Sequence, residues 1–185
     1  MGKVTTFQFQ SYRLRDPAMG DAAGVFELTN DPEVMRYYGL GGSFLKSIEA
    51  ARSEIEWFRS LPNKFGRRWV ICKTGDKAYL GDIGVFDFSP VHNRVELGFK
   101  LRKEHWGQGI ITAFVQQILT WGFREHEYNR IQAYVEPGNL GCKRVLQKNG
   151  FRCEGVLREY EQGHAGFTDV ELHSILRWEL PASQE

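Results

Sequence analysis

The cleanest periodic stretch of the chain is Ile111, Phe114, Val115, Ile118, Leu119 and Gly122, with Gln116, Gln117, Thr120 and Arg124 facing away. Apolar positions three and four apart predict an amphipathic helix from Ile110 to about Glu125. Weaker versions of the same spacing lie upstream. Ala22, Val25, Phe26 and Leu28, then Val34 and Met35, predict two short helices broken at Asp31-Pro32. Leu45, Ile48, Ile55 and Phe58 predict a helix from about Phe44 to Ser60, with Ser43 as its N-cap and Leu61-Pro62 as its stop. A shorter helix spans roughly Leu140 to Lys148 and closes at Asn149-Gly150.

Between these lie runs rich in β-branched and aromatic residues, bounded by turn residues. They cover Phe7 to Leu14, Arg68 to Lys73, Tyr79 to Phe88, Arg94 to Leu101, Ile131 to Val135, Phe151 to Glu161 and Phe167 to Leu180. Turn chemistry at Thr74-Gly75-Asp76 and Ser89-Pro90 favours antiparallel pairing early in the chain. The helix from Ile110 sits between two strands, as in a βαβ unit. This order predicts an α+β (mixed α/β) fold, and a change of pairing within its sheet would offer a ligand crevice.

Composition narrows the partners. Lys plus Arg (24) and Asp plus Glu (23) nearly cancel, so no global field draws the chain to nucleic acid or an anionic membrane. Cys72, Cys142 and Cys153 are an odd set without a C-x-x-C pair, which suits a reducing cytoplasm better than a disulfide scaffold. With neither a charged-then-apolar leader nor a membrane-length apolar stretch, the expectation is a soluble cytoplasmic protein with residues 1–185 as a single domain. His105 and His173 belong to no spaced ligand set, so no metal is expected.

The segment HWGQGIITAF (105–114) sets Gly107 and Gly109 directly before the best-defined helix. The first N–H groups of a helix lack internal partners and carry the positive end of its dipole, so bare backbone there lets an anion approach. G-x-x-x-x-G-K-[ST] is absent, and Thr112 stands where G-x-G-x-x-G needs glycine. By themselves the two glycines fit an ordinary strand-to-helix turn equally well.

Ordered blocks around them are more specific: V-E-L-G-F (95–99), W-G-Q-G-I-I-T-A (106–113), N-R-I-Q-A-Y-V (129–135), E-P-G-N (136–139), R-V-L-Q-K-N-G-F (144–151) and E-G-V-L-R-E (154–159). Together they resemble the GCN5-related N-acetyltransferases (GNAT), and within them the RimJ/RimL-like branch that acetylates ribosomal-protein N-termini. The resemblance is strongest over residues 80–178. It implies a central mixed sheet of six or seven strands, splayed between the fourth (94–101) and fifth (131–135) strands and flanked by about four helices. It also implies acetyl-CoA as cosubstrate. The pyrophosphate would rest on Gly107, Gln108, Gly109, Ile110, Ile111 and Thr112, and the pantetheine arm along the backbone of Phe99, Lys100 and Leu101. Ile111 departs from the family's usual Gly or Ala and implies a bulkier wall. Asn139, the N-cap of the helix from Leu140, contacts the cofactor in the family. Lys143 in that helix's first turn opposes the dipole, which fits either a phosphate contact or solvated surface.

Acetyl transfer to an amine needs a neutral nucleophile, donors for the oxygen that gains charge, and a proton for the leaving thiolate. By similarity to the branch, the base is Glu161. Glu159, two residues away on the same strand face, and Glu96, on the splayed strand, are the alternatives. Cys142 takes the position of the serine in the family's N-x-x-S pattern. A thiol near pKa 8.5 suits protonation of a leaving thiolate, although packing at the helix start, with Tyr134 or Tyr160 as the acid, fits as well. Tyr37 and Tyr38, beside the loop 39–43, are assigned to the acceptor groove, and Trp57, Phe58, Trp69, Phe86 and Phe88 to the core. The resulting expectation is an acetyl-CoA-dependent N-acetyltransferase working by direct attack in a ternary complex on a protein or peptide N-terminus. A small-molecule amine (polyamine or antibiotic) is the alternative acceptor. The departures at Ile111 and Cys142 also leave open a non-catalytic CoA-binding regulator. Monomer and homodimer are both compatible with this reading.

Overall fold

The computed structural model describes residues 6–38, 44–61, 66–163 and 166–180. Its strands are β1 (Gln8–Phe9), β2 (Tyr12–Arg15), β3 (Arg67–Lys73), β4 (Gly81–Ser89), β5 (Arg94–Leu101), β6 (Arg130–Val135), β7 (Arg152–Gly163) and β8 (Gly166–Leu176). Its helices are α1 (Ala22–Thr29), α2 (Ile48–Ser60), α3 (Ile110–Arg124) and α4 (Leu140–Lys148). The eight strands form one sheet in the order β1-β2-β3-β4-β5-β6-β8-β7. The count exceeds the expected six or seven because Phe7 to Leu14 is not one strand. Gln10 adopts a left-handed conformation (φ 51) and folds β1 back on β2.

Strand alternation divides the core into two layers. Trp69 and Ile71 of β3 join Phe114, Ile118 and Ile131 on the α3 side, while Val70 joins Val25, Leu28 and Ile55 beneath α1 and α2. Complete burial of a side chain such as Phe114 contributes about 1.5–3 kcal/mol. The start of α2 differs from its sequence expectation. Ser47 is the N-cap, its hydroxyl accepting from the Ala50 N–H at 3.2 Å, and the helix begins at Ile48 rather than Phe44. The expected cap Ser43, with the rest of the loop 39–43, lies outside the described residues.

The sheet opens in the middle. β5 pairs in parallel with β6 only from Arg94 to Glu96, against Arg130 to Gln132. Past that point β5 stays with β4 as far as Leu101, and β6 stays with β8 as far as Val135. Leu97–Leu101 therefore part from 133–135, and α3, the crossover between the two strands, starts at the mouth of the gap.

Candidate active site

The gap is a cleft of about 1490 Å³ lined by the diverging strands, the starts of α3 and α4, and one side of α2. Its wall along β5 is backbone. The Asn93 carbonyl accepts from the N–H groups of Asn129 and Arg130 (2.9 and 3.3 Å), so Asn93 faces the β6 side. Alternation along an extended strand then turns the peptide groups of Leu97, Phe99 and Leu101 toward the opening. Two of the carbonyls there are occupied. The Tyr38 hydroxyl donates to the Phe99 carbonyl at 2.5 Å, and the Trp106 indole N–H donates to that of Leu101 at 2.7 Å. The edge is thus richer in donors than in acceptors. Neither capping bond was legible in the sequence, because each joins a loop aromatic to a backbone atom.

At the mouth, Gly107 and Gly109 have φ values of 73° and 77°. A Cβ at Gly107 would meet nothing within 4 Å, and one at Gly109 only the Phe9 ring at 4.0 Å. Backbone conformation, more than crowding, therefore requires glycine; a side chain in this region costs about 1–2 kcal/mol. Among the described residues, no side chain caps the start of α3. Gly107, Gly109, Ile110, Ile111 and Thr112 all line the cleft. The Ile111 side chain packs into the core at 8% exposure, so the bulkier wall it implied is largely turned away. Gln108 does not line the cleft. Its side chain accepts from the Tyr12 hydroxyl and donates to the Glu104 carbonyl, both at 3.1 Å.

Asn139 caps α4 by accepting from the Cys142 N–H at 3.0 Å, and both residues line the cleft. Lys143 points elsewhere: its ammonium pairs with Glu171 on β8 at 2.9 Å. The cations that α4 turns to the cleft are Arg144 and Lys148. Phe99, Lys100 and Leu101 also line it, but the Lys100 side chain is buried and paired with Glu54 at 2.7 Å.

The carboxylates separate by environment. Burial pushes Glu96 up to about 7, helped by the negative charges of Asp87 and Glu161, while Arg68 and Arg94 pull the other way. Glu161 is also raised, first by burial and then by Glu136. Both line the cleft. Glu159 is exposed and outside the lining, and the sequence expectation that it shares a face with Glu161 does not hold. A register shift between Leu157 and Glu161, with Glu159 itself at φ 51, breaks the alternation that would align them. Burial drives the Cys142 thiol up to about 12, so it stays protonated but is a weaker acid than a free thiol. Burial also raises Tyr134 to about 12, assisted by its hydrogen bond with Tyr160. The two rings stack at 5.2 Å, and of the pair Tyr134 lines the cleft.

Tyr37 and Tyr38 are on the cleft wall, as are Trp57 and Phe86, which are expected in the core, while Phe58 is buried as expected and also borders the cleft. Trp57 falls off the Ile48–Ala51–Ile55–Phe58 stripe of α2 and is 45% exposed. An off-stripe aromatic was the available signal. Away from the cleft, β7–β8 register sets Cys153 opposite His173 and brings both with Glu171 to within 4.8 Å of one another. The cation paired with Glu171 there is Lys143.

Comparison with known proteins agrees with this geometry. Residues 12–152 match the family model described as an acetyltransferase (GNAT) domain. The chain is 35% identical over 165 residues to the uncharacterized N-acetyltransferase YoaA of Bacillus subtilis, covering 89% of this chain and 92% of that one. It is 30% identical over 135 residues to the ribosomal-protein-serine acetyltransferase of Escherichia coli, covering 71% and 73%. The crystal structure of spermidine N-acetyltransferase from Vibrio cholerae, in complex with CoA and spermine, superposes with a TM-score of 0.79 at 20% identity, covering 92% of this chain and 98% of that one.

Proposed function

The chain belongs to the GNAT acetyltransferases, and from that premise we propose that it moves the acetyl group of acetyl-CoA to the α-amino group of a peptide or protein by direct attack. The cleft fits acetyl-CoA on two counts: an uncapped helix N-terminus with left-handed glycines, and a strand edge stripped of its ladder partner. Gly107 to Thr112, with Arg144, Lys148 and Asn139, would hold the phosphates and the adjacent arm, and Phe99 to Leu101 the pantetheine. When bound, acetyl-CoA supplies an activated acyl thioester.

The observation that carries the acceptor is Glu96 at about 7 within the cleft. An α-amino group titrates at about 7.7–8.0, so a base near 7 can take its proton at neutral pH, whereas an alkylamine near 10.4 stays protonated. Glu161 and Glu96 face the same space as like charges, and the first to ionise opposes the second. We assign proton removal to this pair, with Glu96 the better tuned. The N–H groups of Leu97, Phe99 and Leu101 supply donors for the carbonyl oxygen as it gains charge. Cys142 or Tyr134 returns a proton to the departing thiolate.

A polyamine acceptor is the rival, favoured by the carboxylates Glu54, Glu96, Glu136 and Glu161 on the cleft wall. Free thiol release from acetyl-CoA, followed with N-terminal peptides, polyamines and aminoglycosides, separates the two. Turnover is expected with peptides; turnover confined to polyamines would overturn the α-amino assignment.

A further inference from the structure

Among the cations that line the cleft, Arg68 is one that the proposed reaction does not use. Pairing across β3, β4 and β5 aligns Arg68 with Gly84 and Gly84 with Gly98, so this row of the sheet carries a single side chain. Over Gly98 the missing side chain leaves room for the Phe86 ring and the Arg68 guanidinium. Its side chain is 7% exposed, its guanidinium carbon lies 5.2 and 5.6 Å from the ring centres of Phe58 and Phe86, and its Nη1 would sit 3.4 Å from a Cβ on Gly98. One edge of the guanidinium is committed. Nε donates to Asp82 Oδ1 at 2.6 Å, and Nη2 pairs with the same oxygen. Asp82 is wholly buried and accepts from the Tyr79 hydroxyl as well. Nη1 donates to none of the described residues, although Arg68 lines the cleft.

The placement of Nη1 is informative. It lies beside Gly98, and Glu96 is two residues along the same strand on the same face, a backbone spacing of about 6.4–6.8 Å from Gly98. An amine held against Glu96 therefore presents its neighbouring carbon toward Arg68. A fixed guanidinium with an unused N–H pair attracts a carbonyl or carboxylate oxygen there and repels a second ammonium. We propose that Arg68 is a specificity residue that selects acceptors carrying an oxygen on the second carbon from the reacting amine. Such acceptors are α-aminoacyl compounds, whether the oxygen belongs to a peptide carbonyl or a free carboxylate. The proposal rests on the N-acetyltransferase reading with Glu96 facing the amine.

The test is a matched acceptor series with wild-type protein and acetyl-CoA: a glycyl peptide, glycinamide, glycine, propargylamine and spermidine. Propargylamine has basicity comparable to glycinamide but no oxygen, so amine pKa is not the variable. The expected result is kcat/KM at least about 20-fold higher for the best glycyl acceptor than for propargylamine, the size of one hydrogen bond to a charged group. Glycine above glycinamide, despite its more basic amine, would identify the carboxylate as the preferred oxygen. Arg68→Lys, which keeps a cation beside Asp82, should shrink that ratio below about 5-fold. Its fold is checked by melting temperature and acetyl-CoA affinity. If the variant is not folded, the wild-type ratio alone decides. Equal efficiency for propargylamine, or preference for spermidine, overturns the role of Arg68 and leaves acetyl transfer standing. Absence of turnover with every acceptor, despite acetyl-CoA binding, overturns both.

Discussion

The two halves of the cleft are built from different material. The half proposed for the cofactor is backbone: the start of α3, two left-handed glycines and the free edge of β5. The half proposed for the acceptor is side chain, with Tyr37, Tyr38, Trp57, Phe58, Phe86, Arg68 and Glu96 arriving from distant points in the chain. Backbone geometry survives most substitutions, because any residue of the right conformation supplies the same N–H. A side-chain wall changes with each replacement. A fold built this way can keep one cosubstrate while its acceptor varies.

The largest effect should come from the acceptor half. Glu96→Gln is expected to lower kcat by roughly 10²–10⁴-fold with little change in acetyl-CoA affinity, since it removes a general base. Wild-type kcat/KM should climb with pH through about 7 as Glu96 ionises, and the variant should lose that limb. If Glu161→Gln shows the larger loss and Glu96→Gln is near normal, the base is Glu161. The same group makes a signed prediction about stability. Its carboxyl is raised from 4.5 to about 7, so the folded protein favours the protonated form. That contribution is complete below 4.5 and lost as pH rises through about 7. The melting temperature of Glu96→Gln relative to wild type should therefore rise across this window.

The cofactor half should respond next. Gly109→Asp adds left-handed strain of about 1–2 kcal/mol and a negative charge at the phosphate position, so acetyl-CoA Kd should rise roughly 30-fold or more by calorimetry. Unchanged affinity would remove the α3 N-terminus from the binding site. Smaller effects separate the cations of α4. Arg144→Ala and Lys148→Ala should each weaken acetyl-CoA binding about 5-fold, in a salt-dependent way, because each removes a solvent-screened ion pair of about 1 kcal/mol. Lys143→Ala should leave it within about twofold, since its ammonium is held by Glu171. Equal losses at all three would mean that α4 contributes only net charge. The smallest effect is a null one. Iodoacetamide at neutral pH should label exposed Cys153 and spare Cys142, whose thiol burial holds at about 12. Rapid labelling of Cys142 would make it a thiolate and end its case as an acid.

These two halves also differ in how far they could be read in advance. The α3 stripe matched the helix to within a residue at its start, and the splay was expected between the strands where it occurs. Both follow from local rules, period and turn chemistry, that act over a few neighbours. Gln108 and Lys143 were assigned to the cofactor by position, yet each side chain satisfies a partner from another element. Glu159 was paired with Glu161 by counting, and a bulge displaced it. Counting fails there because three residues, 158–160, stand opposite Asp169 alone and Glu159 turns to φ 51, so the two-residue alternation does not run through them.

By itself, the sequence determined the element types, the glycine-before-helix signature and, through its ordered blocks, the family. Only the tertiary structure decided which carboxylate has its pKa near 7, which carbonyls of β5 are capped, and that Arg68 shares a row with Gly84 and Gly98 on the cleft wall. The physical reason is range. Helix and turn formation depend on residues a few positions apart, whereas desolvation and charge pairing depend on what the fold brings close, here residues 68, 82 and 96 on three different strands.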